Sequence, residues 1–153
     1  MPLNQGYLNR SYPFPDVFDV GRHHIRSFAL AVGDDNPVYH SVEAAQAAGH
    51  RDLVAPPSFL TVLDMWYRMP AFDEPEFGLD WTRIMHSEQR FVLHRPVWAG
   101  DRLLGTRTIT KIRALGPNET VEVVSEIVSV DGDPVAEVQQ SLVSRGTAEP
   151  RER

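Results

Sequence analysis

Residues 55–68 read APPSFLTVLDMWYR and combine a proline-rich start with apolar side chains on most faces of the helix that should follow. Proline is tolerated in the first turn of a helix, because the N–H groups there have no partner within the helix. One face is apolar at helical spacing and consists of Phe59, Val62, Leu63 and Trp66. Further apolar residues lie on the other faces, namely Leu60, Met65 and Tyr67. Such a helix needs cover on most sides, so we predict a largely buried helix over Pro57–Arg68.

Four long segments rich in β-branched residues follow this helix, at residues 83–97, 102–114, 119–130 and 134–145. The turn sequences Gly116-Pro117-Asn118 and Asp131-Gly132 separate the last three segments, which predicts a four-stranded antiparallel meander. Strands of this length can curl around a helix. We therefore predict an α+β fold in which a curved antiparallel sheet is wrapped around a central hydrophobic helix. Since a single curved sheet has exposed edges, we expect a dimer with a continuous sheet.

Two shorter helices are predicted before the central one. Apolar residues at helical spacing run from Arg22 to Val32, and Gly33 suits the end of that helix. Ser41 is a suitable N-cap for a second, two-turn helix that ends at Gly49. After the central helix, residues 70–82 (PAFDEPEFGLDWT) contain two prolines and a glycine and are predicted to form a loop or flap.

The chain has 153 residues, a formal net charge of −6 and no cysteine. This length fits one domain, which we place at residues 1–153 with its core at 10–145 and a disordered tail at 146–153. The acidic balance argues against binding to nucleic acid or to an anionic membrane. The absence of cysteine excludes disulfides, thiolate catalysis and cysteine-based zinc sites. The first residues do not resemble a signal peptide and no apolar run is long enough to span a bilayer, so we predict a cytoplasmic protein.

The histidines show no metal-ligand spacing with a carboxylate, at His23, His24, His50, His86 or His94. We therefore expect no metal and no cofactor. Asp64 interrupts the apolar helix and is either a buried carboxylate with a partner or exposed at a dimer seam. From the residues alone, neither alternative is favoured.

The densest polar cluster is GDDNPVYH, residues 33–40, between the two short helices. Its residue types form turns, and Asp34 or Asn36 can simply satisfy backbone N–H groups. The alternative is that Asp34 and His40, six positions apart, share a water molecule and move its proton. Spacing alone does not decide between these two interpretations.

Three stretches together resemble the MaoC-like dehydratases: AVGDDNPVYHSVEAAQAAG (31–49), LVAPPSF (53–59) and HSEQRFVLHRPVWAGDRL (86–103). The similarity is greater to the actinobacterial branch, which includes the fatty-acid-synthase dehydratase region and the (3R)-hydroxyacyl-carrier-protein dehydratase subunits. It spans residues 10–145. The resemblance implies a hot-dog fold and a hydratase or dehydratase that acts on 3-hydroxyacyl or 2-enoyl thioesters of coenzyme A or acyl carrier protein.

Active members of that family carry Gly-Asp-x-Asn-Pro-x-His, in which the Asp and the His activate a water molecule. Here Asp34 matches the Asp, but the His position is Tyr39, and a phenol is a poor base at neutral pH. His40 is the next residue and is the candidate to replace it. The family's oxyanion donor, a glycine N–H, aligns with Pro57, which has no N–H to donate. The N–H of Ser58 is the alternative donor.

Family members without the histidine resemble the non-catalytic half of a heterodimer, in which the other subunit supplies Asp and His. Our first hypothesis is therefore the substrate-binding subunit of a heteromeric hydratase or dehydratase. The alternatives are a self-sufficient homodimeric enoyl-CoA hydratase and an acyl-thioester binding protein without turnover. The resemblance implies a catalytic role for Asp34, and we assign the role of the missing histidine to the neighbouring His40. The resemblance also implies substrate contacts for Asn36, Tyr39, Pro57, Ser58 and Phe59.

The flap supplies a candidate wall for an acyl tunnel, made by Phe72, Phe77 and Trp81, although ordinary core packing also explains these aromatic residues. Three arginines are candidates for binding the phosphates of coenzyme A or phosphopantetheine, namely Arg90, Arg95 and Arg102. Solvated strand faces and cross-strand pairing are the alternative explanation for these arginines.

Overall fold

The structure is a computed structural model that describes residues 1–148, so residues 149–153 of the predicted tail lie outside the described residues. It contains three α-helices and one six-stranded antiparallel sheet within that range. In chain order, the elements are β1 (Ser11–Pro13), β2 (Phe18–Asp19), α1 (Arg22–Val32), α2 (Val42–Ala47), α3 (Thr61–Trp66), β3 (Ile84–Leu93), β4 (Arg102–Leu115), β5 (Asn118–Ser129) and β6 (Pro134–Ser144). No helix among these is long and apolar enough to cross a membrane.

The sheet has the strand order β1-β4-β5-β6-β3, and β2 also pairs with β4. The hairpins β4–β5 and β5–β6 confirm the predicted turns at residues 116–118 and 131–132. The predicted meander is wrong for β3, which pairs with β6 at the far edge and not with β4. The cause is the connection 94–101, in which Ala55 N–H donates to Val97 O at 2.7 Å and Ala99 N–H donates to Leu53 O at 2.9 Å. These bonds draw the connection across to residues 53–55, so that β4 starts on the other side of the sheet.

The two short helices confirm the sequence prediction, including their ends. Helix α1 ends at Gly33, which adopts a left-handed conformation with φ 74° that favours glycine. Helix α2 begins after Ser41, whose side-chain oxygen accepts a hydrogen bond from Ala44 N at 3.2 Å. Both ends are determined by contacts within a few residues, which is why the local sequence predicts them.

The central helix is shorter and less covered than the sequence predicts. Residues 57–60 form turns, and regular α-helix covers only Thr61–Trp66. Its inner side is in the core, with Phe59, Leu60 and Leu63 at most 1% exposed. On the outer side, Met65 is 78% and Trp66 is 69% exposed. The curved sheet therefore covers one side of α3, and the prediction of a largely buried helix over Pro57–Arg68 is wrong for its last turn.

The flap predicted at residues 70–82 is a series of single 3₁₀ turns, Pro70–Asp73, Pro75–Phe77 and Trp81–Arg83. Phe72 and Phe77 are buried and stack with ring centroids 5.7 Å apart. Together with Leu3, Tyr7 and the far halves of β4 and β5, they form a second hydrophobic cluster. The first cluster surrounds α3 and includes Phe14, Ile25 and Leu103.

Candidate functional site

The polar segment 33–40 forms a tight turn that is held by its own side chains. Asn36 N–H donates to Asp34 Oδ1 at 3.1 Å, and Val38 N–H donates to Asn36 Oδ1 at 3.2 Å. Asn36 thereby caps a single 3₁₀ turn, Pro37–Tyr39. The turn-forming roles that the residue types predict are therefore both present. Asp34 is half-buried and retains one carboxylate oxygen that is not engaged in this turn.

His40 contacts the main chain of Asp34 and not its carboxylate. Its Nε2 lies 2.9 Å from the carbonyl oxygen of Asp34. Because a carbonyl oxygen can only accept, Nε2 carries the proton and donates it. The His40 carbonyl in turn accepts from Arg26 Nε at 2.9 Å. In this arrangement Nε2 is not a base toward a water on Asp34, and a catalytic role for His40 stays a prediction.

Tyr39, in the position of the expected histidine, is half-buried and packs against the first hydrophobic cluster. Burial raises the pKa of its phenol, and the nearby Asp34 carboxylate raises it further. The phenol is therefore neutral at physiological pH and does not accept a proton there. Tyr39 can still contact a ligand or donate a hydrogen bond.

The segment that precedes α3 presents one candidate oxyanion donor. Pro57 has no N–H to donate. Two residues later, Phe59 N–H is already used, because it donates to Pro56 O at 2.9 Å. Ser58 N–H lies between them, and no group within residues 1–148 accepts a hydrogen bond from it. Of the two positions considered from the sequence, only Ser58 can therefore donate from its backbone.

A cavity of about 340 Å³ lies beside this segment. Two of the five residues for which the resemblance implies substrate contacts, Pro57 and Phe59, are in its wall, whereas Asn36, Tyr39 and Ser58 are not. Their contacts with a substrate stay predictions. The opposite wall is residues 93–97, which sequence analysis did not single out except for Arg95. This opposite wall includes His94, so an imidazole ring is also in the wall of the cavity. The cavity is mainly apolar and is large enough for a short acyl group.

A second, polar cavity of about 370 Å³ adjoins the first, and Arg95 is in the wall of both. Three arginines line it: Arg51, Arg95 and Arg102. Three carboxylates line it as well: Asp101, Asp131 and Asp133. The structure thus brings two of the predicted phosphate-binding arginines together and adds Arg51. The third predicted arginine, Arg90, is not part of this group, because it is exposed on β3 and lines neither cavity.

Asp101 organises this arginine cluster from a buried position. It accepts from Arg51 at 2.5 Å, from Arg95 at 2.8 and 3.1 Å, and from Trp98 N–H at 2.9 Å. The guanidinium groups of both arginines also lie over the Trp98 ring, 4.6 and 5.4 Å from its centroid. Arg102 is bound separately, to Asp19 at 3.1 Å. Asp101 and the Trp98 ring together hold Arg51 and Arg95 side by side.

Asp64 is buried and paired, which resolves the two alternatives left open by the sequence. Its Oδ1 lies 3.2 Å from Arg107 of β4, and the two side chains are only 8% and 5% exposed. Gln89 of β3 and Ser125 of β5 donate to the same carboxylate at 3.3 and 3.2 Å. Burial raises the pKa of Asp64 above its ordinary value, an effect that the attraction of Arg107 only partly offsets. Sequence analysis missed Arg107, although it has the same strand parity as the inward-facing Leu103 and Ile109.

Two of the three flap aromatics predicted to line a tunnel, Phe72 and Trp81, line a further cavity next to Asp64. Phe77 is fully buried and contributes to the core. Within residues 1–148, no group of three or more potential ligand side chains is placed to hold a metal ion.

Comparison with known proteins places the chain in one family by sequence. A family model described as "FAS1-like, dehydratase domain region" matches residues 11–138. A UPF0336 protein of Parafrankia sp. (strain EAN1pec) is 52% identical over 152 residues, which is 99% of this chain and 100% of that protein.

Two solved structures are similar in fold and in sequence. The C-terminally truncated HadBC (3R-hydroxyacyl-ACP dehydratase) complex of Mycobacterium tuberculosis has a chain that is 34% identical, with a TM-score of 0.81 and coverage of 90% of this chain and 96% of that one. A MaoC-like dehydratase is 25% identical with a TM-score of 0.85, over 92% of this chain but only 43% of that one. The first of these is a complex of subunits.

Proposed function

Since the chain belongs to the FAS1-like dehydratase region family, whose hot-dog members are hydratases and dehydratases, we propose that it is the substrate-binding subunit of an (R)-specific enzyme. Its substrates are 3-hydroxyacyl or 2-enoyl thioesters of coenzyme A or acyl carrier protein. A partner subunit of the same fold supplies the Asp and His that activate water.

The observation that carries this proposal is the pair of adjoining cavities that share Arg95. A carrier thioester has phosphates at one end and an apolar acyl group at the other. Three arginines of the polar cavity can bind the phosphates, because guanidinium groups pair with phosphate oxygens, and they do so beside three carboxylates in the same wall, Asp101, Asp131 and Asp133. The mainly apolar cavity beside Pro57 suits the acyl group, and Ser58 N–H is a donor for the thioester oxygen.

The incomplete catalytic motif supports a role as one half of a pair. Asp34 is present, but Tyr39 is neutral and the Nε2 of His40 is bound to the main chain. In addition, β3 forms one end of the sheet and pairs only with β6 among the described strands. Its free backbone groups can therefore join the sheet of a second subunit.

Co-expression with a hot-dog subunit that carries Gly-Asp-x-Asn-Pro-x-His tests this proposal. We expect the two chains to co-purify and to hydrate longer 2-enoyl-CoA substrates than that subunit does alone. No co-purification and an unchanged chain-length profile would overturn the subunit role. Hydration of crotonyl-CoA by this protein alone, abolished by Asp34→Asn, would favour the self-sufficient homodimer instead.

The phosphate contact has its own test, because Arg102 and Arg90 form a matched pair of exposed strand arginines. Arg102 lines the polar cavity and Arg90 does not. We expect Arg102→Gln to weaken binding of a CoA thioester about threefold to tenfold, whereas Arg90→Gln leaves it unchanged. Equal effects of the two variants on calorimetric affinity would contradict the assignment of this cavity to the phosphates.

A further inference from the structure

Strand β3 forms one end of the sheet, and its side away from β6 pairs with no other strand within residues 1–148. The strand is ten residues long, and two of its apolar side chains are largely in solvent, since Met85 is 50% and Leu93 is 40% exposed. An open edge of this length with exposed apolar side chains favours pairing with another strand. The side chains of β3 indicate which strand fits this edge.

Two opposite charges lie on the outer face of β3 without a partner. Glu88 and Arg90 are both exposed, and neither takes part in an ion pair within residues 1–148. Gln89 between them donates to Asp64 of α3, so the side chains on either side of it point away from that helix. On the β6 side, both charged residues lie opposite neutral residues. A strand on the open side of β3 could therefore supply the missing opposite charges.

A second copy of this chain supplies those charges in one register. In a continuous antiparallel sheet with twofold symmetry, opposite residues share a face, so the axis passes through a residue of β3 and not between two residues. An axis at Gln89 places Glu88 opposite Arg90 of the partner subunit, and it is the only axis position that pairs these two residues. An axis at Glu88 or at Arg90 would place like charges directly opposite each other, which is destabilising. Charge complementarity therefore favours the register centred on Gln89.

The exposed apolar side chains of the outer face fit the same register. Between His86 and Glu88, β3 contains one extra residue relative to β6, so Met85 and Glu88 share the outer face although they are three positions apart. Counting outward from the axis on that face, Val92 then comes opposite the partner's Met85. The charge pairs at the centre are thus flanked by apolar contacts on both sides.

On the inner face, this register joins the second copy to the candidate site. Leu93 lines the mainly apolar cavity beside Pro57. It comes opposite Ile84 of the partner subunit, at the beginning of the partner strand. Within one chain, Ile84 lies at the other end of β3 and packs against the second hydrophobic cluster. The second copy therefore extends the wall of this cavity with a residue that the chain cannot bring there itself.

We propose that this chain pairs with a second copy of itself through β3, antiparallel and centred on Gln89, and that each copy completes the apolar cavity of the other. The inference goes beyond the proposed function, in which a different hot-dog subunit joins the same edge. The two partners compete for β3, and the second copy occupies it when the catalytic subunit is absent. Self-association is measured without any thioester, so its outcome is independent of that function.

Sedimentation velocity over a series of concentrations tests this pairing, and we expect the purified protein to be a dimer. Glu88→Arg and Arg90→Glu each place like charges opposite each other at two points of the dimer, so each should raise the dimer Kd by about tenfold. Arg90→Gln removes a charge without reversing it and should weaken the dimer less. An equimolar mixture of the two charge-reversal variants restores both opposite-charge pairs. The Kd of the mixed dimer should therefore return to within about threefold of the unmodified value.

The matched control is Glu126→Arg, which reverses an exposed glutamate on β5 in the middle of the sheet and should leave the dimer intact. The double variant Glu88→Arg with Arg90→Glu exchanges the two charges within one chain. It should dimerise with itself but not with the unmodified protein. This double variant keeps the test decisive if a single variant does not fold, which circular dichroism detects.

A monomeric unmodified protein would overturn the proposed pairing. So would charge-reversal variants that dimerise as tightly as the unmodified protein, or weakened dimers that mixing does not restore, because the contact would then lie in another register or on another surface. None of these results decides the co-expression test of the proposed function, in which the catalytic subunit brings its own edge strand.

Discussion

Two aspartates of this chain are buried beside arginine, and their surroundings differ. Asp101, at the arginine-lined cavity, has two arginine partners that reach solvent, with side chains 56% and 25% exposed. Asp64, beneath α3, has a single arginine partner that is itself only 5% exposed. Asp101 also accepts a backbone N–H from Trp98. We infer that a buried carboxylate costs less free energy when its arginine partners stay hydrated. The Asp64–Arg107 pair is almost wholly removed from solvent, and it leaves Arg107 Nε without an acceptor within residues 1–148.

The largest effect on stability is expected from removing one partner of the buried Asp64–Arg107 pair. Arg107→Met leaves Asp64 buried without its cation and frees the carbonyls of Leu63 and Tyr67. We expect a loss of about 3–5 kcal/mol in the free energy of unfolding, measured by urea denaturation. Adding Asp64→Leu should recover most of that loss. A single variant as stable as the unmodified protein would show that water reaches this pair.

Breaking the hydrated cluster should have a smaller effect. Asp101→Asn removes the charge that Arg51 and Arg95 share, but both arginines can then be solvated. We expect a loss of about 1–3 kcal/mol by urea denaturation. The control is Asp133→Asn, an exposed residue in the wall of the same cavity, which should change stability by less than about 0.5 kcal/mol. If Asp101→Asn costs more than Arg107→Met, the contrast between the two clusters is wrong.

The pH dependence of stability distinguishes the two carboxylates further. Burial raises the pKa of Asp64 above its ordinary value of 3.8, so the folded protein binds this proton more tightly than the unfolded chain does. The contribution of Asp64 to stability is therefore complete below pH 3.8 and is lost as pH rises through the raised value. We expect the unmodified protein to lose stability relative to Asp64→Asn as the pH rises from 3.8 through the raised pKa of Asp64, which urea unfolding of both proteins at a series of pH values measures. A shift in the opposite direction would mean that Arg107 dominates over burial.

The smallest effect is expected at the exposed pair of Arg102 and Asp19, whose side chains are 59% and 74% exposed. Arg102→Gln should change the free energy of unfolding by less than about 0.5 kcal/mol, because solvent screens such pairs. Its effect on binding of a CoA thioester is then a property of the site and not of the fold. If Arg102→Gln strongly destabilises the protein in the same denaturation assay, weaker binding could no longer be assigned to the site alone.

The parts of this structure that depend on nearby residues were predictable, and the parts that depend on distant partners were not. Ser41 caps the start of α2 and Gly33 caps the end of α1 through contacts within a few positions, so the sequence predicted both. The pairing of β3 with β6 depends on where the connection 94–101 runs, which strand periodicity does not encode. The exposure of the last turn of α3 was not predicted either, because it also depends on distant partners. An apolar composition indicates that a helix is buried, but it does not show which side of the helix the sheet covers.

The same division holds for the candidate site. The residue types in the segment 33–40 correctly predicted a turn, but spacing did not show that His40 would contact the carbonyl of Asp34 and not its carboxylate. Arg95 and Arg102 were predicted as phosphate ligands and lie at one cavity, which supports but does not test that role. Arg107 was missed, although a charged residue at an inward-facing position of an otherwise apolar strand face is a visible signal.

The pairing of β3 with β6 also determines the order in which this chain can fold. Residue Phe91 pairs with Val138 and Ile84 pairs with Ser144, whereas β4, β5 and β6 join through short hairpins. Hairpins close fast because little chain entropy is lost, and pairs distant in sequence form slowly. During synthesis, β3 leaves the ribosome well before its partner strand exists. We therefore expect the three-stranded meander to form first and β3 to dock afterwards, as do β1 and β2, whose partners on β4 are still more distant in sequence. The strand that would join another subunit is then a late addition to its own sheet.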